Sequence, residues 1–227
     1  MYEFVTGPLA WLSFTIFFVG VIVHLVKYVR GLDWKMDRVT YRVNTSYGIK
    51  GAFNSVISWI LPFGTRSWRV NPGYTVLVFA LHIGLLLTPI FLTAHNVLLR
   101  ERFGISLPTI CDGAADFLTI VVILSAIFLV LRRIALPEAR FITTAGDYLM
   151  IVITALPFVT GFLSFHQVGD GQFWLIAHIL SGELMLVAIP FTKLSHFILF
   201  FCSRVQLGMD YGIKRGGMKE GAGRFSW

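Results

Sequence analysis

The sequence predicts an all-α integral membrane protein, a bundle of five transmembrane helices. Hydrophobic residues make up 56% of the 227 residues, charged residues make up 14%, and the mean hydropathy is +0.75. A soluble chain carries about 25% charged residues, so this composition excludes a soluble enzyme. Five apolar runs also recur along the chain, and a helix of about 20 apolar residues crosses a bilayer.

The five spans follow one another through short connections, except after the first. Their predicted bounds are 7–29, 72–99, 114–134, 147–167 and 172–203, which together form one membrane domain, 1–203. The first span is not a cleavable signal peptide, because its positive charges follow the apolar run and Glu3 precedes it. It is therefore expected to stay as the first helix.

The basic residues predict the orientation of the bundle. All but two of the 19 Lys and Arg residues lie in the first connection, after the third span, or at and beyond the end of the fifth. Only Arg100 and Arg102 lie on the other side, so the positive-inside rule predicts an outer N-terminus and a cytoplasmic C-terminus. Membrane-edge placement also explains the net charge of +7 better than nucleic acid does. Cys111 and Cys202 fall on opposite sides and cannot form a disulfide with each other.

Two segments lie outside the spans. The connection 30–69 contains GIKGAFNSVISWILPFGTRSW, which mixes apolar and basic residues. It is either an amphipathic helix on the inner leaflet or a packed loop that meets a partner protein. The glycine-rich, basic tail 204–227 is predicted to be flexible, cytoplasmic and ordered only against a partner.

Four of the six histidines occupy two spans, His82 and His95 in the second and His178 and His196 in the fifth. Ionisable residues within a span are costly and are functional by default. Because these helices run in opposite directions, His82 faces His196 at an inner level and His95 faces His178 at an outer level. Two facing imidazoles are what a six-coordinate haem iron needs. The sequence therefore predicts two haem b groups.

The spacing of the histidines fits this prediction in part. The second-span pair is 13 residues apart, or about 20 Å along a helix, and the fifth-span pair is 18 residues apart, or about 27 Å. Both fit within a hydrocarbon core of roughly 30 Å. The fifth-span pair shares one face, whereas the second-span pair is roughly 220° apart on an ideal helix. Pro89 and Pro190 lie inside these intervals, and a proline kink changes rotation locally.

Other residues near the four histidines are weaker candidates for the site. The candidate partners for haem propionates are Arg100 and Arg102, which follow His95, and Lys193 and Arg204, which flank His196. The glycines of the bundle would let a flat macrocycle approach the backbone, or would equally well pack helices together: Gly84, Gly161 and Gly182.

Glu183 lies at membrane depth, five residues after His178. It is interpreted either as a proton acceptor or hydrogen-bond partner for a quinone, or as a helix-to-helix hydrogen bond. His166, at the outer end of the fourth span, is a candidate quinone contact, a candidate propionate partner or an interfacial residue. His24 has no matching histidine and is interpreted as interfacial.

Two motifs carry a resemblance to a known family. The patterns FALHIG…TAH in the second helix and AHILSGELMLVAIPFTKLSH in the fifth resemble the gamma-subunit family of respiratory nitrate reductase. The resemblance implies His82, His95, His178 and His196 as ligands of two haem b groups, although the second-helix spacing is longer here. The closing PFTKLSH is more similar to the cytochrome b subunits of the high-molecular-weight cytochrome c complex and related transmembrane redox complexes of sulfate-reducing bacteria.

The resemblance implies an electron-transfer subunit in the bacterial inner membrane that is not a catalyst on its own. It would connect an outer multihaem cytochrome c or menaquinone with cytoplasmic iron–sulfur subunits. The sequence has no Cys cluster and no CxxCH motif, so those cofactors belong to partner chains. Two other classes stay open, a haem-free proton-conducting or transport subunit that uses His and Glu183 as a relay, and a haem-free membrane anchor for a peripheral complex.

Overall fold

The computed structural model describes residues 2–32 and 45–219, the last seven as backbone only. The regular elements of this part of the chain are all helices, without a strand. In chain order the helices are α1 (Tyr2–Gly31), α2 (Thr45–Ile60), α3 (Arg66–Val70), α4 (Pro72–Phe91), α5 (Thr93–Phe103), α6 (Asp112–Ala135), α7 (Pro137–Phe141), α8 (Ala145–Phe165), α9 (Gly171–Phe191) and α10 (His196–Lys219).

Five of these helices are long and apolar enough to cross a membrane, namely α1, α4, α6, α8 and α9. The predicted all-α, five-span fold class is therefore confirmed, while the orientation of the termini stays a prediction. The bounds of α6 and α8 lie within two residues of the predicted ones. Helix α1 begins earlier than predicted, because a π-helical turn, Val5–Leu9, accommodates Pro8.

The chain divides into two compact units. The first comprises Met1–Ile16 and Gly73–Ile189, and the second comprises Phe17–Pro72 and Pro190–Trp227. The first unit thus holds α5 to α8, nearly all of α4 and α9, and the beginning of α1. The second holds the rest of α1 with α2, α3 and α10.

Small and hydroxyl-bearing side chains fill the interior of the first unit. Val122 and Thr75 are fully buried, and Gly84 lies so close to α6 that a Cβ there would come within 3.0 Å of the Leu118 carbonyl oxygen. Large apolar side chains such as Phe117 point outward instead. This distribution is typical of helices that pack on small residues and face lipid with large ones.

Glycines hold α2 against α10 in the second unit. A Cβ at Gly51 would collide with the Gly208 carbonyl oxygen and would come within 2.9 Å of the Gly212 Cα. Gly48 and Ala52 are buried on the same side of α2. Helix α10 runs to Lys219, where a flexible tail from 204 was expected, and the glycines pack it on α2 as far as Gly212. The flexibility of the tail stays a prediction. The rest of the predicted tail, 220–227, lies outside the described residues.

The second and fifth predicted spans, which were expected to run unbroken to 99 and 203, are interrupted. Leu92 has extended backbone angles (φ −67°, ψ 133°) and separates α4 from α5. Thr192 is also extended and is followed by a single 3₁₀ turn, Lys193–Ser195, before α10 begins. Each break comes two or three residues after a proline, Pro89 or Pro190, that lacks a backbone donor. These helices therefore end shortly after their prolines, where a kink was expected.

Candidate functional site

The break after α4 positions His95. The last carbonyls of a helix have no donor within it, and one of them, that of Pro89, accepts a hydrogen bond from His95 Nδ1–H at 2.9 Å. Because Leu92 is extended, the helix restarts at a new rotation. The break therefore removes the straight-helix constraint that set the two histidines of this span roughly 220° apart.

Asn96 secures the same break. Its Nδ2 donates to the carbonyls of Ile90 at 3.0 Å and Leu92 at 3.2 Å, and its Oδ1 accepts from the Leu107 N–H at 3.2 Å. The side chain is 5% exposed. One residue thus ties the end of α4, the start of α5 and the following loop together, next to His95.

A proline carbonyl and a glycine on α8 position His178. The imidazole Nδ1–H donates to the Pro157 carbonyl at 2.8 Å. One turn later on α8, a Cβ at Gly161 would come within 2.9 Å of both Nδ1 and Cε1 of the ring. Only glycine at 161 therefore lets the imidazole approach this helix so closely.

A buried hydroxyl pair supports the backbone beside His178. Ser181 Oγ–H donates to the His178 carbonyl at 2.8 Å, and the hydroxyls of Ser181 and Thr160 lie 3.1 Å apart. Both side chains are 4% exposed. The sequence analysis missed Pro157, Thr160 and Ser181, although their helical spacing from Gly161 and His178 was a usable signal.

The structure brings His95 and His178 together. The centroids of the two rings are 5.9 Å apart and the ring planes differ by 13°. Each Nδ1–H is held by a backbone carbonyl, so a neutral ring keeps its lone pair on Nε2. Neither Nε2 has a hydrogen-bond partner among the described residues. Histidines that bind a metal through one ring nitrogen typically donate a hydrogen bond from the other ring nitrogen, often to a backbone carbonyl.

The donor set of this pair fits a haem iron. His95 and His178, with ring centroids 5.9 Å apart and each Nδ1–H bonded to a carbonyl, could hold one haem iron through their Nε2 atoms. Among the described residues no group of three or more His, Cys, Asp or Glu side chains surrounds a metal position. Haem needs only two protein ligands, because the porphyrin supplies the other four.

The Nδ1–H groups of His82 and His196 also donate hydrogen bonds to backbone carbonyls. His82 Nδ1–H donates to the Val78 carbonyl at 2.8 Å, and His196 Nδ1–H donates to the Lys193 carbonyl at 2.9 Å. Both side chains are exposed. His82 belongs to the first unit and His196 to the second, so their pairing stays a prediction.

The other two histidines use Nε2 as a donor. His24 Nε2–H donates to the Pro190 carbonyl, one of those left without a helical donor at the end of α9. His166 Nε2–H donates to Asp116 Oδ2 at 3.1 Å, and its ring lies against Phe162. The Nε2 nitrogen is occupied in both, which separates them from His95 and His178, whose Nδ1–H groups donate to carbonyls.

Glu183 lies buried in the ninth helix with an unusual lack of partners. The side chain is 7% exposed, and neither carboxyl oxygen has a hydrogen-bond partner in the part of the chain that the structure describes. The helix-to-helix hydrogen bond considered for Glu183 is therefore absent there. A buried polar group without a partner costs stability and calls for a functional explanation.

The four candidate propionate partners have varied surroundings. Arg100 and Arg102 are exposed in the last turn of α5, and Arg102 reaches the Thr6 carbonyl at 3.5 Å. Lys193 is exposed in the 3₁₀ turn, whereas the Arg204 guanidinium lies 4.7 Å over the Trp59 ring. Their role toward propionates stays a prediction.

The three glycines have three different settings. Gly84 packs α4 on α6, and Gly161 accommodates the His178 ring. Gly182 lies one helical turn after His178, and a Cβ there would meet no heavy atom within 4 Å. Among the three, Gly182 is therefore the one that leaves open space on the His178 face of α9.

The chain is 52% identical over 227 residues to a protein of Nitratidesulfovibrio vulgaris, and the alignment covers both chains completely. No family model matches the chain. No solved structure matches it either.

Proposed function

We propose that this chain, which belongs to the same family as the Nitratidesulfovibrio vulgaris protein, is a dihaem cytochrome b subunit that carries electrons across a membrane. One observation carries the proposal. His95 and His178 approach each other from two helices, 5.9 Å between ring centroids, with each Nδ1 bonded to a carbonyl. Two such imidazoles suit the axial positions of one haem iron.

The protein residues orient and enclose this haem. His95 and His178 would hold the iron through Nε2, and the carbonyls of Pro89 and Pro157 keep each ring in the required tautomer. Gly182 offers space for the macrocycle on the ligand face of α9. The bound haem supplies reversible one-electron transfer, and bis-histidine ligation and burial would tune its potential.

The proposal also includes a second haem, the orientation in the membrane and the partner subunits. His82 and His196 would hold the inner haem, with Lys193 and Arg204 near its propionates and Arg100 and Arg102 near those of the outer haem. The N-terminus would lie outside and the C-terminus in the cytoplasm of a bacterial inner membrane. Electrons would pass between an outer multihaem cytochrome c or menaquinone and cytoplasmic iron–sulfur subunits.

Haem quantitation of the purified chain tests the proposal. A pyridine haemochrome assay after haem supplementation should give about two haems per chain. His95→Ala and His178→Ala should each lose one haem, and both should lose the same spectral component. His166→Ala, the matched control, should keep both, because its Nε2 is bonded to Asp116. A folded wild-type chain without haem would refute the proposal.

A second candidate is a haem-free proton-conducting subunit, which the unpartnered carboxyl of Glu183 favours. An ionisable group buried at span depth is typical of proton relays. The haem assay discriminates the two functions, because a proton-conducting subunit would fold with normal stability without haem. Its proton flux would be abolished by Glu183→Gln.

A further inference from the structure

Helix α2 carries an apolar stripe that is separate from its packed side. Ile49, Phe53, Ile57 and Ile60 are 61%, 65%, 36% and 44% exposed. At 100° per residue these four positions lie within about 80° of the helix circumference. The side that packs on α10, around Ala52, lies outside this stripe. The remaining side is polar, so α2 has three distinct faces.

The charge around this stripe has one sign. Between residues 45 and 72 the sequence contains Lys50, Arg66 and Arg69 but no Asp or Glu. All three basic side chains are exposed. An apolar stripe flanked by cations is typical of a helix that lies in the interface of an anionic membrane.

The chain connectivity keeps α2 near the bilayer edge. Helix α3 ends at Val70, and only Asn71 separates it from α4, which spans the membrane. The connection from α2 to α3 is five residues long, 61–65, which reaches at most about 18 Å when extended. Leu61 and Phe63 in this connection are also exposed apolar residues. These two side chains add to the exposed apolar surface of this segment.

We propose that α2 binds the surface of an anionic lipid bilayer, with Ile49, Phe53, Ile57 and Ile60 inserted at the boundary between headgroups and acyl chains. Lys50, Arg66 and Arg69 contact the lipid phosphates. Because the glycine seam formed by Gly51, Gly208 and Gly212 holds α2 on α10, the same contact anchors α10 at the membrane surface. The inference does not depend on haem binding.

Spin labels at neighbouring positions test the proposal in the full-length chain. Phe53 lies on the stripe. Asn54 is also exposed, and it lies 100° away on the polar side of the helix. Phe53→Cys and Asn54→Cys would each be labelled with a nitroxide in a Cys111→Ser/Cys202→Ser background. Collision rates with oxygen and with a water-soluble nickel chelate are then measured in detergent and in nanodiscs of phosphatidylglycerol or phosphatidylcholine.

The expected result is a several-fold higher oxygen-to-nickel collision ratio at position 53 than at 54 in phosphatidylglycerol nanodiscs. The ratio at 53 should fall in phosphatidylcholine, and should fall likewise when Lys50, Arg66 and Arg69 are replaced by Gln. Equal aqueous exposure at both positions would overturn the proposal. Shielding of position 53 from both reagents in detergent as well as in nanodiscs would also overturn it, because a protein partner or a second copy would then cover the stripe.

Discussion

Gly161 of α8 lies directly against the imidazole of His178 on α9: a Cβ at 161 would come within 2.9 Å of both Nδ1 and Cε1. The carbonyl that accepts the Nδ1–H belongs to Pro157, one turn earlier on the same helix. The orientation of the His178 ring is therefore set by a neighbouring helix as much as by its own. Helix α8, which contributes no predicted ligand, becomes part of the ligand geometry.

Gly161→Ala should displace the His178 ring and disturb the haem that it holds. The added methyl group would lie 2.9 Å from the ring, and the packed helix backbone cannot shift to relieve this overlap without a cost in stability. The expected result is loss or altered low-temperature absorption of one haem component, with the other unchanged. Gly146→Ala on the same helix is the control, since its Cβ would meet only the Thr144 hydroxyl at 3.7 Å. Identical spectra for both variants would contradict this assignment.

Asn96→Ala should destabilise the protein and alter the haem bound by His95. The change leaves the carbonyl of Ile90 and the N–H of Leu107 without their side-chain partner in a part-buried setting. Each such loss costs about 1–3 kcal/mol, and thermal unfolding should show it as a lower Tm. Asn54→Ala, at an exposed position, should leave both the Tm and the spectra unchanged. A normal Tm for Asn96→Ala would show that the break does not need this side chain.

Apolar composition predicted the five spans because membrane helices must satisfy their backbone internally and cover themselves with apolar side chains. Counting along two antiparallel spans likewise led to the prediction that His95 lies near His178, and the two ring centroids are 5.9 Å apart. Both inferences use properties that each helix carries in its own sequence.

Features that depend on a second helix could not be predicted in the same way. Pro89 suggested a kink, but the break lies at Leu92, where Asn96 and His95 bind the carbonyls left at the end of α4. The glycines near the C-terminus suggested flexibility, yet Gly208 and Gly212 pack against α2. A glycine favours either disorder or close packing, and only the partner helix decides between them.

His82→Ala and His196→Ala should each remove the same haem, and that haem should differ from the one lost in His178→Ala. The reason is that the second and fifth predicted spans run in opposite directions, which puts the early histidine of one at the predicted depth of the late histidine of the other. The double variant His82→Ala/His196→Ala should then lose no more haem than either single variant. Low-temperature spectra with haem quantitation check this. Loss of one common component in His82→Ala and His178→Ala would refute the pairing.

Glu183→Gln should impair quinol-dependent reduction of the haems while keeping the haem content. The amide has the shape of the carboxyl group but cannot accept a proton from a quinol, and both carboxyl oxygens of Glu183 lack another partner among the described residues. We expect at least a tenfold slower reduction by a menaquinol analogue, about 1.4 kcal/mol of barrier. Reduction by dithionite should be unchanged. An unaltered quinol rate would leave Glu183 without a role in quinol oxidation.

Gly208→Leu should separate α10 from α2. A Cβ at 208 would come within 2.7 Å of both the Ala52 Cα and the Ser55 Cβ, so the larger side chain cannot fit without moving a backbone. Overpacking of this kind costs about 1–3 kcal/mol, and it should expose the C-terminal segment to trypsin, which cleaves at its Lys and Arg residues. Val205→Leu, an exposed position on the same helix, is the matched control. Equal digestion rates for the two variants would show that the glycine seam does not hold α10, and the anchoring of α10 through α2 would fail with it.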